Sequence, residues 1–386
     1  MNAVTKSILR FMLRSVAVVL PVVAIAVGWY VMTDPYKVLR QYDSYLLDPV
    51  ENPVRVGINK GLITVTNYHQ RVAEGRHYNA FIFGSSVSCC YDARLWAQLA
   101  DSTGCASAYH FDSSGETLSS MADKVEYLDR IGQPIKYALI VLDPIVMTYN
   151  DSSSPATVNP PQLHHNVLEW LKYHYTFFRA ATNADFFKSW IPYKLTGRAW
   201  ANGHNRVFEP QPIVYDPIIN QESIPQWDSI ITVNAREFYS RYPLAESPES
   251  VTESEVVLTR AKEEALHRVA KVFSRQGTDC QVIVGPNRLK VALNHRDLGV
   301  LQDIFGVGRV HDFSATMVKE LECDTLLYDN THYREPFATV LMRKVYARTQ
   351  RKTKKRTKVE ALNSLRWSIA DSNRSPRHCQ CRALAR

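Results

Sequence analysis

Between residues 79 and 145 the chain alternates short apolar runs with amphipathic stretches, and this alternation restricts its fold more than any other feature. The runs are AFIFG (80–84), SAYHFDSSG (107–115) and YALIVLDP (137–144). Segments this short, apolar at successive positions and stopped by Gly, Ser or Pro, suit strands buried on both faces of a parallel sheet. Between them, CYDARLWAQLA (90–100) and TLSSMADKVEYLDRI (117–131) read as helices. Strand, helix, strand, helix, strand is the order of a doubly wound sheet. The rhythm resumes with a helix predicted over 252–276, where Leu258, Ala261, Ala265, Val269 and Phe273 share a face and Gly277 is the stop. CQVIVGPN (280–287) and VHDFS (310–314) supply a fourth and fifth strand, and REPFATVLMRKVYART (334–349) a last helix. The expectation is an α/β chain: a three-layer α/β/α domain over 79–347 with a doubly wound, mostly parallel five-stranded sheet.

Residues 145–250 interrupt the rhythm and are rich in Tyr, Trp, Pro and Asn. Two readings of this insertion stand side by side, a substrate-binding lid and an ordinary packed subdomain. Residues 33–78 form a juxtamembrane segment in which helical and coil readings compete.

The N-terminus carries a second constraint. Lys6, Arg10 and Arg14, in a cytoplasmic stretch 1–14, precede an uncharged apolar segment over 15–32 that is near the lower length limit for a membrane helix. Trp29 and Tyr30 stand at its far end, where aromatic side chains favour the bilayer interface. The charges predict a single-pass protein of bacterial inner-membrane type, its N-terminus cytoplasmic and its main domain periplasmic or extracellular. The bilayer is therefore an expected partner. Ala24-Ile25-Ala26 resembles a signal-peptidase site and keeps a cleaved signal peptide as the alternative, while the continuation of the apolar run through Met32 favours an anchor.

The formal net charge of +8 is concentrated in a tail over 348–386, which holds twelve Lys or Arg and two acidic residues. The body of the protein is close to neutral. The tail lacks aromatic interleaving and apolar periodicity, so it reads as a disordered end and no nucleic acid is expected as partner. Seven cysteines leave at least one unpaired if every disulfide is internal, with Cys89 or Cys90 able to pair with Cys105, Cys280 or Cys323. No metal is expected. His164, His165, His174 and His204 lack close carboxylate spacing, and Cys379, Cys381 and His378 offer too few ligands.

In doubly wound sheets functional groups collect at the carboxyl ends of the strands. Ser86, Asp112, Gly115 and Asp143 fall at such ends. Far along the chain, Asp329 stands three residues before His332. A serine hydroxyl needs a base to accept its proton, imidazole suits that work near neutral pH, and a carboxylate holds the imidazole in one tautomer. Ser86 as nucleophile, His332 as base and Asp329 as orienting carboxylate compose such a set.

Gly84-Ser85-Ser86 after the first core strand, Gly115 after the second and Asp329-x-x-His332 before the last helix resemble the SGNH/GDSL hydrolase superfamily. The likeness is to membrane-anchored Gly-Ser-Ser members of the kind found in alginate O-acetylation and in D-alanine transfer to teichoic acid. It covers roughly residues 79–346, apart from the insertion. The resemblance implies an acyl-Ser86 intermediate, no cofactor, and an oxyanion held by the backbone N–H groups of Ser86 and Gly115. It also implies transfer or hydrolysis of a small acyl group such as acetyl on a cell-envelope polysaccharide or lipid-linked glycan, with a membrane acyltransferase as partner. One position departs from the family: where its third block offers an asparagine to the oxyanion, this chain has Leu142-Asp143-Pro144. That departure, with Ser85 in place of the usual acidic residue, sustains an alternative in which the protein is a non-catalytic accessory of envelope polysaccharide assembly.

Overall fold

The computed structural model describes residues 3–42, 45–47, 54–55, 59–150, 154–164, 166–197, 213–317 and 323–347. The basic tail over 348–386, with Cys379 and Cys381, lies outside them, as do His165 and His204.

Five strands form the central sheet: β1 (Ala80–Gly84), β2 (Ala108–His110), β3 (Tyr137–Leu142), β4 (Asp279–Val284) and β5 (Val310–Asp312). Their spatial order is β5-β4-β3-β1-β2, and every pairing is parallel. The apolar runs are buried on both faces, as a parallel sheet under two helical layers requires. Phe81, Phe83, Ile140, Leu142, Val282 and Val284 enter one core. The alternate residues Ala80, Ile82, Leu139, Val141 and Ile283 are equally buried. Each large side chain of this kind contributes roughly 1.5–3 kcal/mol when removed from water.

The helices in chain order are α1 (Ala3–Thr33), α2 (Lys60–Ala73), α3 (Ala93–Ala100), α4 (Leu118–Arg130), α5 (Val167–Ala181), α6 (Ala184–Thr196), α7 (Pro225–Arg241), α8 (Arg260–Gln276) and α9 (His295–Phe305). A last one, α10, covers 335–347. Caps set several of the boundaries. Asp92 accepts from Leu95 N at 2.6 Å and Thr117 from Ser120 N at 3.1 Å, which satisfies amides that the first turn leaves without partners.

The helix expected to begin at residue 252 begins instead at Arg260. Thr252 and Glu253 pair in parallel with Val291 and Ala292, and the amides of Val257 and Leu258 bond to the Asp297 carboxylate. These long-range partners draw the segment out of the helix, and Ala261 is exposed rather than on the buried face. Likewise α3 starts at Ala93, three residues later than the sequence pattern indicates, because Ser86–Ser88 form a 3₁₀ turn first.

Helix α1 is long and apolar enough over Ser7–Thr33 to cross a membrane. Its end is tightly built. Asp34, at φ +38°, accepts from the amides of Val38, Leu39 and Arg40, and the Arg40 guanidinium reaches the carbonyls of Val31 and Met32. Tyr30 and Tyr36 then join Tyr173, Phe177 and Phe186 of the insertion in a separate apolar cluster. Helices α5 and α6 of the insertion are thus packed on the end of α1, and its later part has a second role described below.

Candidate active site

The strand order reverses between β1 and β3, the position at which an open α/β sheet leaves a crevice at its carboxyl edge. The turn carrying Ser86 begins at this place, directly after β1. Its path depends on Gly84: a Cβ there would come within 2.7 Å of the Val141 carbonyl and 2.9 Å of the Ser88 side chain. Ser88 donates its hydroxyl to Ser85 O at 2.7 Å, and Val87 and Ser88 are buried, so the turn is fastened on both sides of Ser86. The backbone bonds closing the turn run from Ser88 N to Ser85 O and from Cys89 N to Ser86 O. Neither uses the Ser86 amide.

The partner loop folds locally. The Asp329 carboxylate accepts from the amides of Thr331 and His332, each at 2.8 Å, an Asx turn that places the imidazole over its own carboxylate. His332 Nδ1 lies 2.8 Å from Asp329 Oδ2, and His332 Nε2 lies 2.8 Å from Ser86 Oγ. With Nδ1–H donated to Asp329, the imidazole is in the tautomer whose Nε2 accepts the serine proton. Partial burial works to raise the Asp329 pKa. The hydrogen bond and charge of His332, together with the two backbone amides, outweigh it and hold the carboxyl well below the usual range. Asp329 is therefore ionised at neutral pH.

Tyr333 anchors the loop from behind. It is buried, pairs with Tyr91 hydroxyl to hydroxyl at 2.7 Å, and lies so close to Gly285 that a Cβ there would meet the Tyr333 hydroxyl at 2.5 Å. Residue 285 must be glycine for His332 to stand where it does.

The three residues open onto a cavity of about 510 Å³. Its opposite wall comes from the insertion, through the hairpin Val214–Asp216 and Gln221–Ser223 and through Trp227 and Asp228 of α7. The hairpin is fastened to edge strand β2 by His110 N to Ile219 O at 2.9 Å and by the Asn220 amide to His110 O at 2.5 Å. The Gln221 amide reaches Cys89 O, which ties the hairpin to the segment after Ser86. Helix α7 holds the base loop: Asp228 accepts from the Tyr328 hydroxyl at 2.8 Å and from Arg334 at 2.5 Å, and the Tyr239 hydroxyl donates to Leu327 O at 2.7 Å.

Lys60 of α2 completes the support. Fully buried, it lies 3.2 Å from Glu222 of the hairpin and 3.9 Å from Asp112 after β2. Burial alone would lower its affinity for a proton, but the two carboxylates reverse this and keep it charged. Nothing local in the sequence marks Lys60, because its partners come from two distant segments. Only a lysine at a position of α2 that otherwise carries buried residues hints at a paired charge.

Other expected site residues take different places. Asp112 is fully buried and does not line the cavity; Cys89 does, and its thiol donates to Asp112 at 3.3 Å, so Asp112 stands one layer behind. Gly115, at φ +58°, faces Thr157, and no described contact joins it to Ser86. Asp143 is buried as well. Its Oδ1 accepts from the amides of Ile145 and Val146 at 2.7 and 3.2 Å and so caps the loop after β3, while Oδ2 has no hydrogen-bond partner among the described residues. Burial pushes this carboxyl up to about 6, against the two amides and the charge of His332. Cys89, Cys90, Cys105, Cys280 and Cys323 are free thiols.

No protein-family model matches the chain, and no curated protein matches its sequence.

Proposed function

We propose that this chain is an extracytoplasmic, membrane-anchored serine acyltransferase or esterase acting on a small acyl group, such as acetyl, of a cell-envelope polysaccharide or lipid-linked glycan. The observation that carries the reading is the relay from Ser86 Oγ through the His332 ring to Asp329, each step at 2.8 Å, open to a cavity large enough for an acylated sugar. The likeness of Gly84-Ser85-Ser86 and Asp329-x-x-His332 to SGNH hydrolases supports the acyl chemistry. Lys6, Arg10 and Arg14 in the first turns of α1 and the aromatic residues at its far end support the compartment.

In the first half-reaction Ser86 Oγ attacks the acyl carbonyl as its proton passes to His332 Nε2. The C–O bond to the leaving alkoxide then breaks, and His332 returns the proton to that oxygen. In the second, a water or acceptor hydroxyl gives its proton to His332 and attacks the acyl-Ser86 carbonyl; the bond from that carbon to Ser86 Oγ then breaks, and His332 returns the proton to Oγ. The Ser86 amide, unused by the turn, is the oxyanion donor at hand. A membrane acyltransferase would supply acyl groups to such a site.

A fluorophosphonate probe tests the proposal on the full chain. Labelling is expected in the wild type and absent in Ser86→Ala. A folded wild type that does not label would overturn the enzymatic reading in favour of a non-catalytic accessory of polysaccharide assembly.

A further inference from the structure

Two helices of the insertion leave large apolar side chains in solvent. In α5 these include Leu168, Leu171 and Tyr175, and in α6 Ile191 and Leu195, the last 81% exposed. Their spacing gives them direction. Positions 168, 171, 175 and 178 fall on one helical stripe, as do 187, 191 and 195. Phe178, ending the first stripe, packs edge-on against Tyr30 of α1 with ring centroids 5.6 Å apart. Phe187, opening the second, lies 5.1 Å from Trp29, and Trp190 lies 5.4 Å from the same ring. Each stripe thus starts on the last turns of α1 and continues uncovered.

The join is stiff, because Asp34 and Arg40 bind the end of α1 to the chain that follows it. The two helices cannot swing away from the end of the span without breaking that turn and the aromatic cluster behind it. Residues 167–196 also carry Lys172, Arg179, Lys188 and Lys194 against Glu169 and Asp185. An apolar stripe with aromatic and basic flanks, continuous with a membrane helix, matches a helix lying in the bilayer interface. A second copy or another membrane protein would equally cover apolar residues. Lipid is the occupant already required by the exposed length of α1, and the stripes continue from its end.

We propose that α5 and α6 lie in the headgroup and acyl boundary of the bilayer that α1 crosses, holding the catalytic domain to lipid through a second contact. The proposal rests on the reading of α1 as a membrane span.

The test uses the full chain in vesicles of phosphatidylcholine and phosphatidylglycerol with brominated acyl chains, which quench tryptophan only at lipid depth. Wild type, Trp29→Phe and Trp170→Phe are compared, Trp170 being exposed on α5 and Trp29 sitting at the end of the span. Both substitutions should remove part of the quenched signal. If only Trp29→Phe does so, the anchor stands and the interfacial helices are refuted, whether Trp170 is open to acrylamide or shielded by protein. If neither does, the anchor itself is wrong and the proposal falls with it. Should Trp170→Phe fail to fold, the double variant Leu171→Glu with Leu195→Glu, at two exposed positions, is expected to lower the quenching. Unchanged quenching in that variant overturns the proposal.

Discussion

Asp143 shows how a single carboxyl near the site ties stability to pH. Its folded value of about 6 stands above the usual 3.8, so the folded state holds the proton more tightly than the unfolded chain. The associated stability is complete below about pH 4 and is lost as pH rises through 6, a change of roughly 3 kcal/mol by linkage. Asp143→Asn keeps an oxygen for the amides of Ile145 and Val146 and does not titrate. Denaturation at pH 4 and pH 8 should therefore show the variant gaining on wild type by about that amount at the higher pH. For Asp329→Asn the expectation is a fall in kcat of about 10⁴-fold, because the wrong tautomer of His332 then faces Ser86. Steady-state kinetics should show KM little changed. The meeting of Ser86, His332 and Asp329 was legible in the sequence because each motif is local: Gly-Ser-Ser closes a strand and Asp-x-x-His closes its own turn. Lys60 was not legible, since its meaning comes from Asp112 and Glu222. Lys60→Met takes the nearest cation from buried Asp112 and should cost about 3–5 kcal/mol in denaturant titration.

At the scale of elements, the buried strands announced themselves. Runs such as AFIFG and ALIVL are too apolar to sit anywhere but inside, and β1, β3 and β4 lie where the pattern places them. Boundaries set by distant partners did not announce themselves. Thr252 and Glu253 look helical until Val291 and Ala292 are beside them, and the composition of 145–250, which suits a lid as well as a packed subdomain, does not single out residues 213–241 as the part that walls a cavity and braces a loop. Helix α7 illustrates what such a brace does. Asp228 holds both Tyr328 and Arg334, the residues that flank the Asp329–His332 turn. Asp228→Asn should shift that turn enough to lower kcat by about 10²-fold, an effect of misplacement rather than lost chemistry. Ser86 should still react with a fluorophosphonate, more slowly, and the melting temperature should change far less than in Lys60→Met.

At the scale of the whole molecule, the insertion joins two regions that the sequence presents as separate. Its first helices pack on the end of α1, and its hairpin and α7 pack on the site. If α1 is an anchor, as proposed, the intact mass of the membrane-extracted protein should include residues 1–26. Cleavage after Ala26 would instead mark a signal peptide. The capped turn at Asp34 has a consequence for substrate choice under that anchoring. A catalytic head on a loose tether samples a thick layer above the membrane, whereas one clamped to its span works at a single height. The clamp acts as a ruler: if the proposed glycan is the substrate, its acylated unit meets Ser86 only at that distance from the lipid.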